Sequence, residues 1–175
     1  MANELILSRE ACQAIADRAR RMVRGPGTTW VAVGSRWLGD VRWGRNRVMV
    51  AGDVRDIVVR VRRMHRGAQG MAETSRLDDE GLGTAVRSAT AAMHQEDASG
   101  TGDYPPPSFT YAKPKNWSDA TVGLTSAARG ELVRSLIKPA EAAGLWSAGY
   151  LAVSAFTEAF FGAEGESGYC ARTSA

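Results

Sequence analysis

From Val31 to Trp43 the chain alternates with a period of two, and this alternation limits the fold more than any other feature. Val31, Val33, Trp37, Val41 and Trp43 fall on one face, and Arg36, Asp40 and Arg42 on the other. Successive side chains of a strand point to opposite faces, so the pattern predicts a strand buried on one side and wet on the other. The run ends in "RWGRNRVMV", residues 42–50, where a glycine and an Arg-Asn-Arg turn separate two alternating segments. That arrangement reads as a hairpin tip. Residues 47–64 make the returning strand, with Ile57, Val59 and Val61 opposite Arg60 and Arg62, and "HRGAQ" turns into a short third strand near 69–74.

Helical periodicity surrounds this hairpin. Ser8 is placed to cap a first helix by accepting a free N–H of its first turn, and Cys12, Ile15, Ala19, Met22 and Val23 make one apolar face. "RGPG" at 24–27 ends that helix, because Pro26 has no N–H to donate and the glycines tolerate positive φ. Asp78 caps a second helix striped by Leu82, Val86, Ala89 and Met93, with Asp79 and Glu80 suited to its positive N-terminal dipole. A long polar, proline-bearing loop is expected over 95–124. Thr125 caps a third helix with Leu132, Val133, Leu136 and Ile137 on one side; Pro139 is expected to kink or interrupt it, and Gly144 to close it. Strand-like residues run from 146 to 161, a Gly-Glu turn follows, and a last strand occupies 167–175.

The resulting expectation is an α+β fold in which two αββ-type units build an antiparallel sheet with helices mainly on one face. The first unit continues into a third strand and the second does not, so the second is expected to be truncated. Strand 167–175 is then expected to leave an open sheet edge.

A chain of 175 residues fits one domain, and 44% hydrophobic with 23% charged residues is ordinary for a soluble protein. No apolar run approaches the roughly 20 residues that span a bilayer. "MANELILSRE" lacks the cationic and apolar regions of a signal peptide, and Cys12 and Cys170 match no metal spacing, so a cytoplasmic location is expected. The net charge of +3 is uneven: residues 1–66 hold 14 arginines against 6 acidic groups.

Catalytic patterns are missing. His65 and His94 are the only histidines, and "HQEDA" at 94–98 has no second histidine one turn away. "VSAF" and "VGSR" lack the paired glycines of a nucleophile elbow. "GPGTTW" follows a helix, not a strand, which rules it out as a dinucleotide loop. Arg36, Arg42, Arg45, Arg47, Arg60 and Arg62 would suit nucleic acid if the tryptophans shared their face, but alternation puts Trp37 and Trp43 opposite. A charged solvent face is the simpler reading.

Five stretches carry a resemblance: "LSREACQAIADRA"; "VRWGRNRVMV", with Asn46 and Arg47 following an aromatic; "GMAETSRLDDEGL" at 70–82; "NWSDATVGLTSAARGELV"; and "FFGAEGESGYCARTSA". In this order they resemble the N-terminal region of the TldD/PmbA family of metallopeptidases, formerly described as modulators of DNA gyrase. They are similar to its first helix, its hairpin, its strand-to-helix junction, the segment after its proline-rich loop, and its Asn-Ser-x-Gly turn with the following tyrosine strand. Gly165 and Tyr169 fit that last motif, whereas Gly162 and Ala163 stand where Asn and Ser are usual.

The resemblance covers essentially the whole chain and implies an N-terminal domain over 1–175, incomplete at its C-terminus. The family's HExxxH metal helix would lie beyond it. No catalytic residue, metal ligand or cofactor is therefore expected here, zinc belonging to a full-length catalytic member. The implied role is scaffold and substrate-channel wall of a peptide-hydrolysing assembly, inactive alone. Its partners would be the missing C-terminal domain or a second TldD/PmbA-type subunit, and a peptide substrate, with neither membrane nor nucleic acid. Arg42, Arg45, Asn46 and Arg47 are the candidate peptide or partner contacts. The rival is a noncatalytic binding module, taking peptides by strand addition or nucleic acid through the arginines.

Overall fold

The computed structural model describes residues 6–95 and 116–175. Five antiparallel strands form one sheet in the order β3-β2-β1-β4-β5: β1 Thr28–Gly44, β2 Arg47–His65, β3 Ala68–Thr74, β4 Gly149–Phe161 and β5 Ser167–Ser174. Among the described residues four helices accompany them: α1 Arg9–Arg21, α2 Asp79–Gln95, α3 Asp119–Val122 and α4 Ser126–Ala142. The α+β plan expected from the sequence is the observed one. Its two hairpins meet through β1 and β4, which pair from Val31↔Phe161 to Trp43↔Gly149.

The period-two residues fall where alternation demands. Val31, Val33, Trp37 and Val41 are buried, as are Val59, Val61, Val153, Ala155, Ala159 and Phe161 on the same face. Each fully buried valine contributes about 1.5–3 kcal/mol relative to an exposed one. The helices divide this face among them. α1 and α2 cover one end, where Cys12, Ile15, Leu82 and Val86 pack on Val31, Val33, Val59 and Val61. Trp117, Val122 and Leu124 cover Trp37 at the centre, and Val133 and Ile137 of α4 cover Val41 at the far end. Gly70 lets α2 approach closely, since a Cβ there would run into the backbone of Ala89 and Met93.

The expected caps form. Ser8, Asp78 and Thr125 each accept a first-turn N–H, from Ala11, Gly81 and Ala128. Gly144, at φ 66°, ends α4: its N–H reaches the carbonyl of Glu141 and that of Leu145 reaches Ala140, the two bonds of a Schellman motif.

Two expectations need correction. Helix α4 is not interrupted at Pro139 and continues to Ala142. The proline stands in the last turn, where the helix forgoes one N–H and the Gly144 motif satisfies the carbonyls that follow. The segment 95–124 is not loop throughout. Residues 96–115 lie outside the described residues, but Ser118 caps the one-turn helix α3, and Trp117, Val122 and Leu124 are packed on the core.

Strand β5 is an edge strand, tied on its outer side by one backbone bond from Thr173 N–H to the Asn116 carbonyl at 2.9 Å. A longer open edge belongs to β2. Strand β3 pairs with it only over Val59–His65, so among the described residues nothing pairs with the outer edge of 47–58. Within 47–58 all but Gly52 and Ile57 are exposed.

Candidate functional site

At the hairpin tip, Arg45 and Asn46 hold φ of 51° and 60°, the paired left-handed conformation of a type I′ turn. Asn46 is the anchor of this end. Its amide nitrogen donates to the Leu145 carbonyl at 2.8 Å, and its oxygen accepts from the Ser147 N–H at 2.6 Å and the Ser147 hydroxyl at 2.8 Å. The side chain so tied fastens the tip to the loop after α4. Arg45 lies over the Trp146 ring at 5.4 Å and Arg42 over the Tyr150 ring at 5.0 Å, while Arg47 is exposed opposite Gly44. Of the four candidate contacts, the three arginines present their guanidinium groups outward and Asn46 turns its polar atoms inward.

Two arginines that look like surface charges in the sequence are buried. Arg63 is wholly covered; it donates to the Thr29 hydroxyl at 2.6 Å and the Pro26 carbonyl at 2.7 Å, and burial lowers its pKa. Arg129, from α4, lies over Gly39 of β1 and 5.7 Å from the Trp37 ring. It pairs with Asp53, which also accepts from the Trp37 indole at 3.0 Å and the Ser126 hydroxyl at 3.1 Å. Asp53 therefore gathers a strand tryptophan, a helix start and a buried cation.

At the other hairpin, Gly165 takes φ of 97°, and the Gly162 N–H reaches the Glu166 carbonyl at 2.7 Å. The Tyr169 hydroxyl donates to the Leu7 carbonyl at 3.1 Å, which holds the start of the chain against the sheet. Gly165 and Tyr169 thus serve the turn and the packing. Among the described residues no three His, Cys, Asp or Glu side chains stand close enough to hold a metal. No helix there is long and apolar enough to cross a membrane.

The remaining surface is the sheet's other face. Helices pack on the Val31–Val33–Trp37–Val41 side, and the opposite side carries Arg36 beside Phe156, Leu38 beside Val54, Gly34 beside Val58 and Arg42 beside Tyr150. Val50, Val54, Val58, Met71 and Tyr150 are exposed here. Near Gly34 this face is hollowed to about 790 Å³ between Arg36, Asp56, Val58, Phe156, Glu158 and Arg172. Alternation pointed to the face, but only the strand order brings β5 and its Arg172 to the hollow.

No protein-family model and no curated protein matches the sequence. Solved structures do match the fold. TldE from Thermococcus kodakarensis superposes with a TM-score of 0.70 at 15% identity, over 92% of this chain and 36% of that one. A proposed modulator of a DNA gyrase from Thermotoga maritima gives 0.78 at 8% identity, over 92% and 37%. A proposed modulator of DNA gyrase from Bacteroides thetaiotaomicron gives 0.75 at 14% identity, over 95% and 40%. The chain thus spans 36–40% of the length of these proteins. The resemblance to the TldD/PmbA family read from the residues is matched in three dimensions: the chain has the fold shared by TldE and the two proposed gyrase modulators.

Proposed function

We propose that this chain is the noncatalytic scaffold portion of a TldD/PmbA-type metallopeptidase, working in the cytoplasm and inactive in peptide hydrolysis by itself. The observation that carries the reading is the two-sided sheet. One face is filled by helices, while the other mixes exposed apolar and charged side chains, is hollowed, and is covered by no described helix, in a fold that spans 36–40% of the solved structures it resembles. On this reading the uncovered face is a wall of the peptide channel. The zinc chemistry would come from a C-terminal domain or a second TldD/PmbA-type subunit. Nucleic acid fits this face less well. Asp40, Asp56, Glu73 and Glu158 are interleaved with its arginines, and Arg42 and Arg60 approach Asp40 and Glu73 at 3.7 and 2.6 Å. A cationic track for phosphates would need those carboxylates elsewhere.

The test is hydrolysis of a mixed peptide pool by this chain with zinc, and by an inactive-to-weak TldD/PmbA-type catalytic subunit with and without it. The reading expects no cleavage by the chain alone and a gain of tenfold or more when the two are combined. Zinc-dependent cleavage by the chain alone, or no effect on the subunit, would refute it.

A second reading is favoured by the open edge of β2. Among the described residues no strand pairs with the outer edge of 47–58, which carries the alternating Val50, Val54 and Val58, the arrangement used in strand addition. Slowed amide exchange over 50–58 on adding peptides, in a chain that activates no subunit, would favour this module over the scaffold.

A further inference from the structure

Four residues stand in one row across the uncovered face: Asp56 on β2, Arg36 on β1, Phe156 on β4 and Arg172 on β5. The next row holds Val58, Gly34, Glu158 and Cys170. Gly34 has no side chain, so the hollow has a backbone floor, and a Cβ there would meet nothing nearer than 3.9 Å. The guanidinium carbons of Arg36 and Arg172 lie 5.3 and 5.0 Å from the centre of the Phe156 ring. Two cations from different strands thus share one aromatic ring, whose negative face offsets part of their mutual repulsion. A guanidinium held near a ring by this attraction still has N–H groups with which to donate. Among the described residues neither of the two arginines forms an ion pair.

The chemistry of the hollow selects its occupant. The two guanidinium groups beside one ring supply N–H donors suited to a carboxylate. Asp56 and Glu158 border the same space as Arg36, Arg55 and Arg172, and their repulsion weighs against a ligand that carries several negative charges, such as a phosphate or nucleic acid. Phe156 and Val58 offer apolar contact beside the cations. We propose that this hollow is a subsite for a carboxylate carried by an extended peptide. Arg36 and Arg172 take the charge, and Phe156 and Val58 take the neighbouring apolar side chain. The proposal rests on reading this face as a peptide-facing wall, and it adds a preference for where a negative charge may sit.

The test is amide chemical-shift titration of the full chain with three short acetylated peptides of Ala, Val and Phe. One ends in a free carboxylate, one in a carboxamide, and one in a carboxamide with a glutamate in the middle. Shifts at Gly34, Phe156 and Glu158 are expected with the acids, binding about tenfold tighter than the plain amide. The free-acid and glutamate arms show whether the chain end or a side chain supplies the charge. Arg36→Gln and Arg172→Gln should each weaken acid binding about two- to fivefold, as exposed ion pairs do, and leave amide binding unchanged. Equal binding of acid and amide by the unaltered chain would overturn the proposal without needing any variant. So would shifts that avoid the hollow, or inorganic phosphate binding more tightly than the peptides. Because binding is measured here and hydrolysis is not, failure of this subsite and failure of the scaffold reading show up in different assays.

Discussion

The Arg129 guanidinium lies 2.9 Å from the Asp53 carboxylate, although 76 positions separate them and Arg129 is 1% exposed. The pair exists because Gly39 leaves room for it: a Cβ at that glycine would stand 2.5 Å from an Arg129 nitrogen. Removing one partner of a covered ion pair strands the other without its charge. Asp53→Asn should therefore cost about 2 kcal/mol, less than a fully buried pair because the Asp53 side chain is 41% exposed and water can enter. Adding Arg129→Met should recover at least half of that loss. Urea unfolding followed by circular dichroism measures both, and a neutral Asp53→Asn would show the pair to be incidental.

Asn46 gives a sharper distinction. Its side chain makes three hydrogen bonds to Leu145 and Ser147, and its φ of 60° suits asparagine or glycine. Asn46→Gly keeps the backbone geometry and deletes only the anchor, so it should destabilise the chain by about 1–3 kcal/mol. Arg45→Gly should change stability by less than about 0.5 kcal/mol, as surface substitutions do. If both variants unfold like the parent, the tip is not held by Asn46.

The two cysteines should differ in reactivity. Burial, with a smaller contribution from Glu10, pushes the Cys12 thiol up to about 11, and the side chain is fully covered. At pH 8 only about one part in a thousand of it is thiolate. Cys170 is half-exposed beside the hollow. One thiol per chain is expected to react with an aromatic disulfide reagent in the native state, and two after denaturation. Mass mapping of the first adduct to Cys12 would contradict the packing of α1.

Asp78 predicts an acid limb. The Gly81 N–H first, and then Arg76, hold its carboxyl below the ordinary 3.8. A group depressed in the folded state stabilises above its unfolded value, and that contribution is lost as pH falls through the folded one. Asp78→Asn should thus be less stable than the parent at pH 7, and the gap should narrow once pH drops below about 4. A gap that stays constant from pH 7 to pH 2.5 would show that the charge plays no part in the cap.

What the residues disclosed and what they withheld divide along contact range. Ser8, Asp78 and Thr125 announce their helices because a cap is a local bond, and the alternation through Val31 and Val41 announces β1 because burial of one face is written every second residue. No local pattern marks Arg63 and Arg129 as buried, because their burial depends on distant partners, Thr29 and Pro26 for one and Asp53 for the other. The one-turn α3 was hidden in a polar stretch, its signal being only Ser118 before Asp119. The hollow was hidden for a topological reason. Arg36 and Arg172 are 136 positions apart, and they share Phe156 only because β4 inserts between β1 and β5.

On the proposed function, the sheet face that no described helix covers is the working surface. Hydroxyl-radical footprinting of the chain, alone and bound to a TldD/PmbA-type catalytic subunit, tests it most directly. Met71, Tyr150 and Phe156 lie on that face, whereas Leu132 and Leu136 are exposed on α4. The account predicts that Met71, Tyr150 and Phe156 lose reactivity in the complex or on adding peptide, while Leu132 and Leu136 keep theirs. Protection confined to α4, with the sheet face as reactive as before, would contradict it.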